Sequence, residues 1–124
     1  MEKKYSKDHE WVIIEDDIAI IGISAHAAEA LGDITFVELP NLEDDFIAGD
    51  TLSVIESVKA ASDIFSPISG KVVEVNQEIE DDPSLVNSSP EEKGWICKLE
   101  EVDDEEINGL MTAEEYSLYV EESS

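Results

Sequence analysis

A chain of 124 residues with 32 acidic and 7 basic side chains, for a formal charge of −25, is enough for one domain and has no basic face to offer. That balance argues against nucleic acid and against anionic membranes as partners, both of which need clustered Lys and Arg, and it favours steering towards basic protein surfaces. The single cysteine, Cys97, cannot close an internal disulfide, which points to a reducing compartment.

The first ten residues lack the apolar core of a secretory signal and the arginine-rich character of a transit peptide. No run is long enough to cross a membrane, so a cytoplasmic protein is expected. Residues 11–14 read as a first strand, Asp16-Asp17 as a turn, and residues 18–23 as the hairpin partner. Ser24 is placed to cap a short helix over residues 25–31, with Gly32 as its stop. Residues 34–39 form the next predicted strand, ended by Pro40. After a polar turn over residues 41–45, Phe46 and Ile47 return to the core.

Ala48-Gly49-Asp50 then turns the chain into an alternating run, Thr51-Leu52-Ser53-Val54-Ile55, which leads to Glu56-Ser57-Val58-Lys59-Ala60. A second extended run, Ile64-Phe65-Ser66-Pro67-Ile68, leads away and ends at Ser69-Gly70. Lys59 is therefore expected at a hairpin tip, with its amine in water. Residues 71–75 form another strand, 76–82 an acidic loop, 83–87 one helical turn, and 95–99 a last strand after Gly94. In the tail, Asp103 to Glu106 supply the negative charge that a helix N-terminus favours. Thr112-Ala113-Glu114-Glu115 is a capping box, and Tyr116, Tyr119 and Val120 give a helical apolar face. The prediction is one domain over 1–124, with a helical extension over about 103–121 packed on the sheet.

A weak repeat runs through this layout. Gly32-Asp33-Ile34-Thr35-Phe36-Val37-Glu38 is echoed by Gly70-Lys71-Val72-Val73-Glu74-Val75. It predicts a mainly β fold, a flattened barrel or sandwich of two quasi-symmetric sheets, with a short helix in the N-terminal half and another at the C-terminus.

Lys59 is the residue singled out for chemistry. A free lysine amine, with a pKa of about 10.4, is mostly protonated at neutral pH, so only an enzyme supplying an activated carboxylate would acylate it. Ala60, Ala61 and Ser62 leave room for such an enzyme, and acylation would remove the charge and create a flexible arm. The pattern reads as a carrier rather than an enzyme. A Schiff-base lysine would need desolvation or a neighbouring cation, the opposite of a tip on an acidic protein. Cys97 lies mid-strand and is expected to be a buried, inert thiol; Trp11 and Trp95 are expected core anchors; His9 and His26 are expected to pack or cap. No EF-hand spacing appears, and the loop over residues 91–93 carries no inference.

His9-Glu10-Trp11-Val12, the run from Ala30 to Pro40, Glu56-Ser57-Val58-Lys59-Ala60, Ser66-Pro67-Ile68-Ser69-Gly70, Val73-Glu74-Val75-Asn76, Leu85-Val86-Asn87-Ser88 and Gly94-Trp95 together resemble the H-protein family of the glycine cleavage system, over nearly the whole chain. The resemblance implies a lipoyl/biotinyl-type barrel-sandwich hybrid that carries lipoate in amide linkage on Lys59. It implies that lipoylating enzymes (a lipoyl ligase or lipoyltransferase) read Glu56 and Gly70, and that Glu10 and Asp63 form the acidic lining of a cleft for the loaded arm. Asp8 is divided between that lining and a plain surface carboxylate. The implied partners are a pyridoxal-phosphate glycine decarboxylase, a tetrahydrofolate-dependent aminomethyltransferase and dihydrolipoamide dehydrogenase, with the protein itself a non-catalytic monomer. A biotin carrier would share the hairpin, but its lysine is typically flanked by methionines, where this chain has Val58 and Ala60. A lipoate relay outside glycine cleavage remains an alternative within the lipoyl class.

Overall fold

The computed structural model describes residues 3–123. In chain order the elements are β1 (Lys3–Tyr5), β2 (Glu10–Glu15), β3 (Ile18–Ile23), α1 (Ala25–Leu31), β4 (Ile34–Glu38), β5 (Asp45–Phe46), β6 (Thr51–Ser57), β7 (Ala61–Phe65), β8 (Gly70–Val75), α2 (Gln77–Asp81), α3 (Ser84–Ser88), β9 (Cys97–Glu100), α4 (Asp104–Asn108), β10 (Met111–Thr112) and α5 (Ala113–Ser123). They build two antiparallel sheets, one of seven strands in the order β10-β1-β2-β3-β9-β8-β5 and one of three in the order β4-β6-β7. The sheets are unequal in strand number, and the two copies of the sequence repeat fall one in each: β4 in the small sheet, β8 in the large.

Local sequence explains most of the elements. Asp16 and Asp17 both adopt positive φ, 53° and 64°, the turn geometry that matches the twist of a two-residue hairpin between β2 and β3. Ser24 caps α1 by accepting from the Ala27 N–H, and Gly32 ends the helix at φ 77°. Along β6, Leu52 and Ile55 turn inward while Glu56 faces water. The main core between the sheets is built on Ile21, Ile23, Val37, Ile55, Ile68, Leu99 and their neighbours. A smaller cluster of Tyr5, Trp11 and Tyr116 fastens the C-terminal segment to the large sheet.

At four places the structure differs from the sequence reading or adds to it. The polar stretch Lys3–Tyr5 is a strand, because both its edges find partners, β2 on one side and β10 on the other. Residues 77–81 form a helix rather than an acidic loop: Asn76 caps it, and Ile79 is fully buried, which contributes roughly 2 kcal/mol. The predicted helical tail consists of two helices separated by the short strand β10. There the predicted capping box is present, with Thr112 N–H donating to Glu115 at 2.9 Å and Glu115 N–H to the Thr112 hydroxyl at 3.2 Å. Ile47 does not return to the core with Phe46; it is 70% exposed at the turn before β6.

Candidate functional site

The β6–β7 hairpin pairs Glu56 with Ala61, leaving residues 57–60 as its tip. Ser57 organises that tip. Its N–H donates to the Ala60 carbonyl at 2.8 Å, and its hydroxyl oxygen accepts from the Lys59 and Ala60 N–H groups at 3.2 and 3.3 Å. The tip leans on the turn between α1 and β4. The Val58 N–H donates to the Asp33 carbonyl at 3.0 Å, and the Lys59 stem lies over Gly32, where an added Cβ would stand 3.2 Å from Lys59 Cε. Lys59 is exposed, and among the described residues no ion pair or hydrogen bond holds its amine.

The other site residues predicted from sequence lie at varied depths. Glu56 is exposed on β6, in register with Phe36 and Ala61. Asp63 is exposed on β7, opposite Val54. Glu10 is not a surface carboxylate: it is 1% exposed, accepts a hydrogen bond from the Ser6 hydroxyl, and takes another from the Phe65 N–H. It therefore ties β2 of the large sheet to the far end of β7 in the small one. Burial pushes its pKa up to about 7, only partly offset by the Ser6 hydrogen bond, and the neighbouring Asp8 charge adds to the rise. Gly70 lies beyond the open end of the hairpin, in the large sheet and away from Lys59. A Cβ there would meet the Glu100 carbonyl and Leu99 Cβ at 2.9 Å, so the close approach of β8 to β9 already requires glycine.

Cys97 is fully buried, and burial raises its thiol to about 12, far from a nucleophile's range. Trp11 is buried and its indole N–H donates to the Pro90 carbonyl, whereas Trp95 is half-buried with the Lys98 amine over its ring. His9 packs with its Nδ1 2.7 Å from the Tyr116 hydroxyl, and His26 is exposed with its ring tilted against that of His9. His26 does not cap α1; Ser24 does. Glu91 was passed over as a variable loop residue. It accepts from the Tyr5 hydroxyl and from the Ala25 N–H at the start of α1, and it pairs with Lys3. Ser57 and Glu91 are organising residues that sequence reasoning missed. A serine three residues before Ala60 in a turn was a readable signal for Ser57; Glu91 acts across a sequence distance of 66 and more, which leaves none. The best-defined grooves, lined by residues such as Pro40 and Phe46 or Ile20 and Val73, do not include Lys59.

Residues 3–123 match the model of the glycine cleavage H-protein family. The chain belongs to that family. Glycine cleavage system H proteins from two strains of Staphylococcus epidermidis are each 53% identical to it over 116 residues, covering 94% of this chain and 92% of theirs. The crystal structure of a glycine cleavage system H protein from Mycobacterium marinum superposes with a TM-score of 0.83 at 35% identity, covering 94% of both chains. H-proteins are the lipoyl carriers of the glycine cleavage system, and that role follows for this chain. An exposed lysine amine with no partner among the described residues, followed by small residues at a braced hairpin tip, is what an amide-linked acyl cofactor requires, so the residues present fit lipoate.

Proposed function

We propose that Lys59 is the lipoyl attachment point and that the protein shuttles the aminomethyl group of glycine from a glycine decarboxylase to an aminomethyltransferase, with dihydrolipoamide dehydrogenase restoring the disulfide. The observation that supports this most directly is the Lys59 amine: exposed, unpaired among the described residues, and mounted on a tip that Ser57 and the Asp33 carbonyl hold in place. The cofactor supplies the redox-active sulfurs; the chain supplies the tether, the footing and the surface. Tethering raises the effective concentration of the arm at each partner enzyme, which is the advantage of a carrier that performs no chemistry itself.

Glu56, exposed three residues before Lys59, is suited to be read by a lipoyl ligase or lipoyltransferase approaching the tip, and Gly70 is assigned with it to recognition. Glu10 and Asp63 are proposed to face the loaded arm. Glu10 reaches the Phe65 N–H and Asp63 lies two residues earlier on the same strand. A carboxyl that titrates near 7 ionises more readily when a cation comes close, so Glu10 would gain charge as a cationic arm arrived. The partners are those of the family's reaction, and a cytoplasmic setting is proposed with them.

The test is intact-mass measurement after incubation with a lipoyl ligase, lipoate and ATP, followed by assay of glycine-dependent turnover with the three partner enzymes. One lipoyl increment on the parent, none on Lys59→Ala, and turnover only with the loaded parent are expected. A streptavidin-positive product, or an increment that survives Lys59→Ala, would remove the proposal.

A further inference from the structure

Asn87 sits on α3, 28 positions after Lys59 in the sequence, and neither the carrier reaction nor the core uses it. Its side-chain amide grips the backbone of the turn between α1 and β4 at two points. Oδ1 accepts from the Ile34 N–H at 2.9 Å, and Nδ2 donates to the Gly32 carbonyl at 2.8 Å. A primary amide, which offers an acceptor and a donor side by side, completes this pair. The span it holds, Gly32-Asp33-Ile34, is the one on which the hairpin tip rests. The Asp33 carbonyl receives the Val58 N–H, and Gly32 lies beneath the Lys59 stem.

The clamp has a firm footing. Val86, beside Asn87, is fully buried. Gly94 packs so closely on α3 that a Cβ there would lie 2.9 Å from the Ser89 carbonyl and 3.0 Å from that of Leu85. Buried Asn76 holds the loop on either side of Gly94, donating to the carbonyls of Lys93 and Trp95 at 2.8 Å each. A chain of fixed groups thus runs from the Gly94 loop through α3 and Asn87 to the turn under Lys59. Groups that must be presented accurately are held by such supporting hydrogen bonds rather than by their own contacts.

We propose that Asn87 is a positioning residue for Lys59. It acts through the Gly32–Ile34 backbone and keeps the hairpin tip in the one arrangement that a modifying enzyme engages. This rests on the reading of Lys59 as the acceptor. Without the clamp, the Asp33 carbonyl loses its fixed place, the Val58 N–H loses its acceptor, and the competent tip becomes a minor population. A modifying enzyme that binds only that population then shows a raised KM for the acceptor at unchanged kcat.

The test compares Asn87→Ala with the parent by amide hydrogen exchange and by ligase kinetics. Exchange protection at Val58 is expected to fall about tenfold or more relative to that of Ser66, whose N–H is bonded to the Asp50 carbonyl at the opposite end of the hairpin. The acceptor KM is expected to rise about tenfold with kcat held. Asn87→Asp keeps the acceptor and loses the donor to Gly32, and it should fail in the same way; full retention of Val58 protection in it would overturn the grip on Gly32. Unchanged Val58 protection and KM in folded Asn87→Ala, equal losses at Val58 and Ser66, or a fall in kcat alone would each overturn the proposal. If the variants do not fold, denaturant-dependent exchange of the parent decides: Val58 and Ile34 must exchange through one shared opening, and separate openings defeat the clamp. Failure of the parent to take up lipoate would instead strike the acceptor assignment, since the exchange measurements need no lipoate.

Discussion

The two ends of the β6–β7 hairpin are built on opposite terms. At the open end the chain is nailed down. The Gly49 N–H donates to the Ser66 carbonyl, the Ser66 N–H to the Asp50 carbonyl, and the Ser66 hydroxyl to the Ile68 carbonyl. Just beyond, Glu106 of α4 takes both the N–H and the hydroxyl of Ser69 at 2.8 Å, and Glu10 takes the Phe65 N–H. At the tip almost nothing is buried: Val58 is 67% exposed, Lys59 and Ala60 are exposed, and order comes from backbone bonds to Ser57 and Asp33. A side chain that several enzymes must reach cannot also be a packing element, so stability is concentrated at the base and access at the apex.

Substitutions at the two ends should therefore separate function from stability. The largest effect is expected at the apex and on function alone. Lys59→Arg should abolish lipoyl incorporation while urea unfolding stays within about 0.5 kcal/mol of the parent, since among the described residues no hydrogen bond or ion pair holds the amine. A comparable loss of stability would break the comparison.

At the base, Glu10 should make stability depend on pH. Its carboxyl titrates near 7 in the folded chain against an ordinary 4.5, so the folded state holds the proton more tightly than the unfolded one. The stabilisation is complete below about 4.5, is lost as pH rises towards 7, and amounts to roughly 3 kcal/mol over that window. Unfolding of Glu10→Gln at pH 5 and pH 8 should lack this loss; equal slopes for the two proteins would show that the buried carboxyl does not titrate there.

Next in size is Gly70→Ala, which forces a Cβ against the Glu100 carbonyl and should cost about 1–3 kcal/mol. Lipoylation measured per folded molecule sharpens the assignment of Gly70. A loss confined to stability makes it a packing residue alone, whereas a slower reaction at full foldedness supports recognition. The smallest change is expected from Ser57→Ala, which removes the hydroxyl that accepts the Lys59 and Ala60 N–H groups. It should cost about 1 kcal/mol or less, because those donors turn to water, while Val58 and Lys59 amide exchange quickens.

Much of this was legible in one sequence because it is local. Ser24 and Gly32 bracket α1 by capping chemistry, Asp16-Asp17 turns a hairpin by tolerating positive φ, and the Thr112 box starts α5 where Glu115 says it should. The hairpin around Lys59 was readable for the same reason, as an alternating run and a second extended run with small residues following the lysine. What the sequence reading left out or misjudged depends on distant partners. Lys3–Tyr5 is a strand only because β2 and β10 flank it, and residues 77–81 are helical only because a core awaits Ile79. Glu10 was expected to line the cleft of the loaded arm; its burial where the two sheets meet was not readable from the strand alone.

Composition, period and turn chemistry determined by themselves that this is a mainly β, acidic chain with a lysine displayed between two strands, since each of those facts needs only neighbours within a few residues. Only the tertiary structure decided what stands beneath that lysine. The Asp33 carbonyl and the Gly32 platform come from one stretch of chain and the Asn87 amide from another, both distant in sequence from Lys59, and hydrogen bonds across such separations leave no periodic trace in the order of residues.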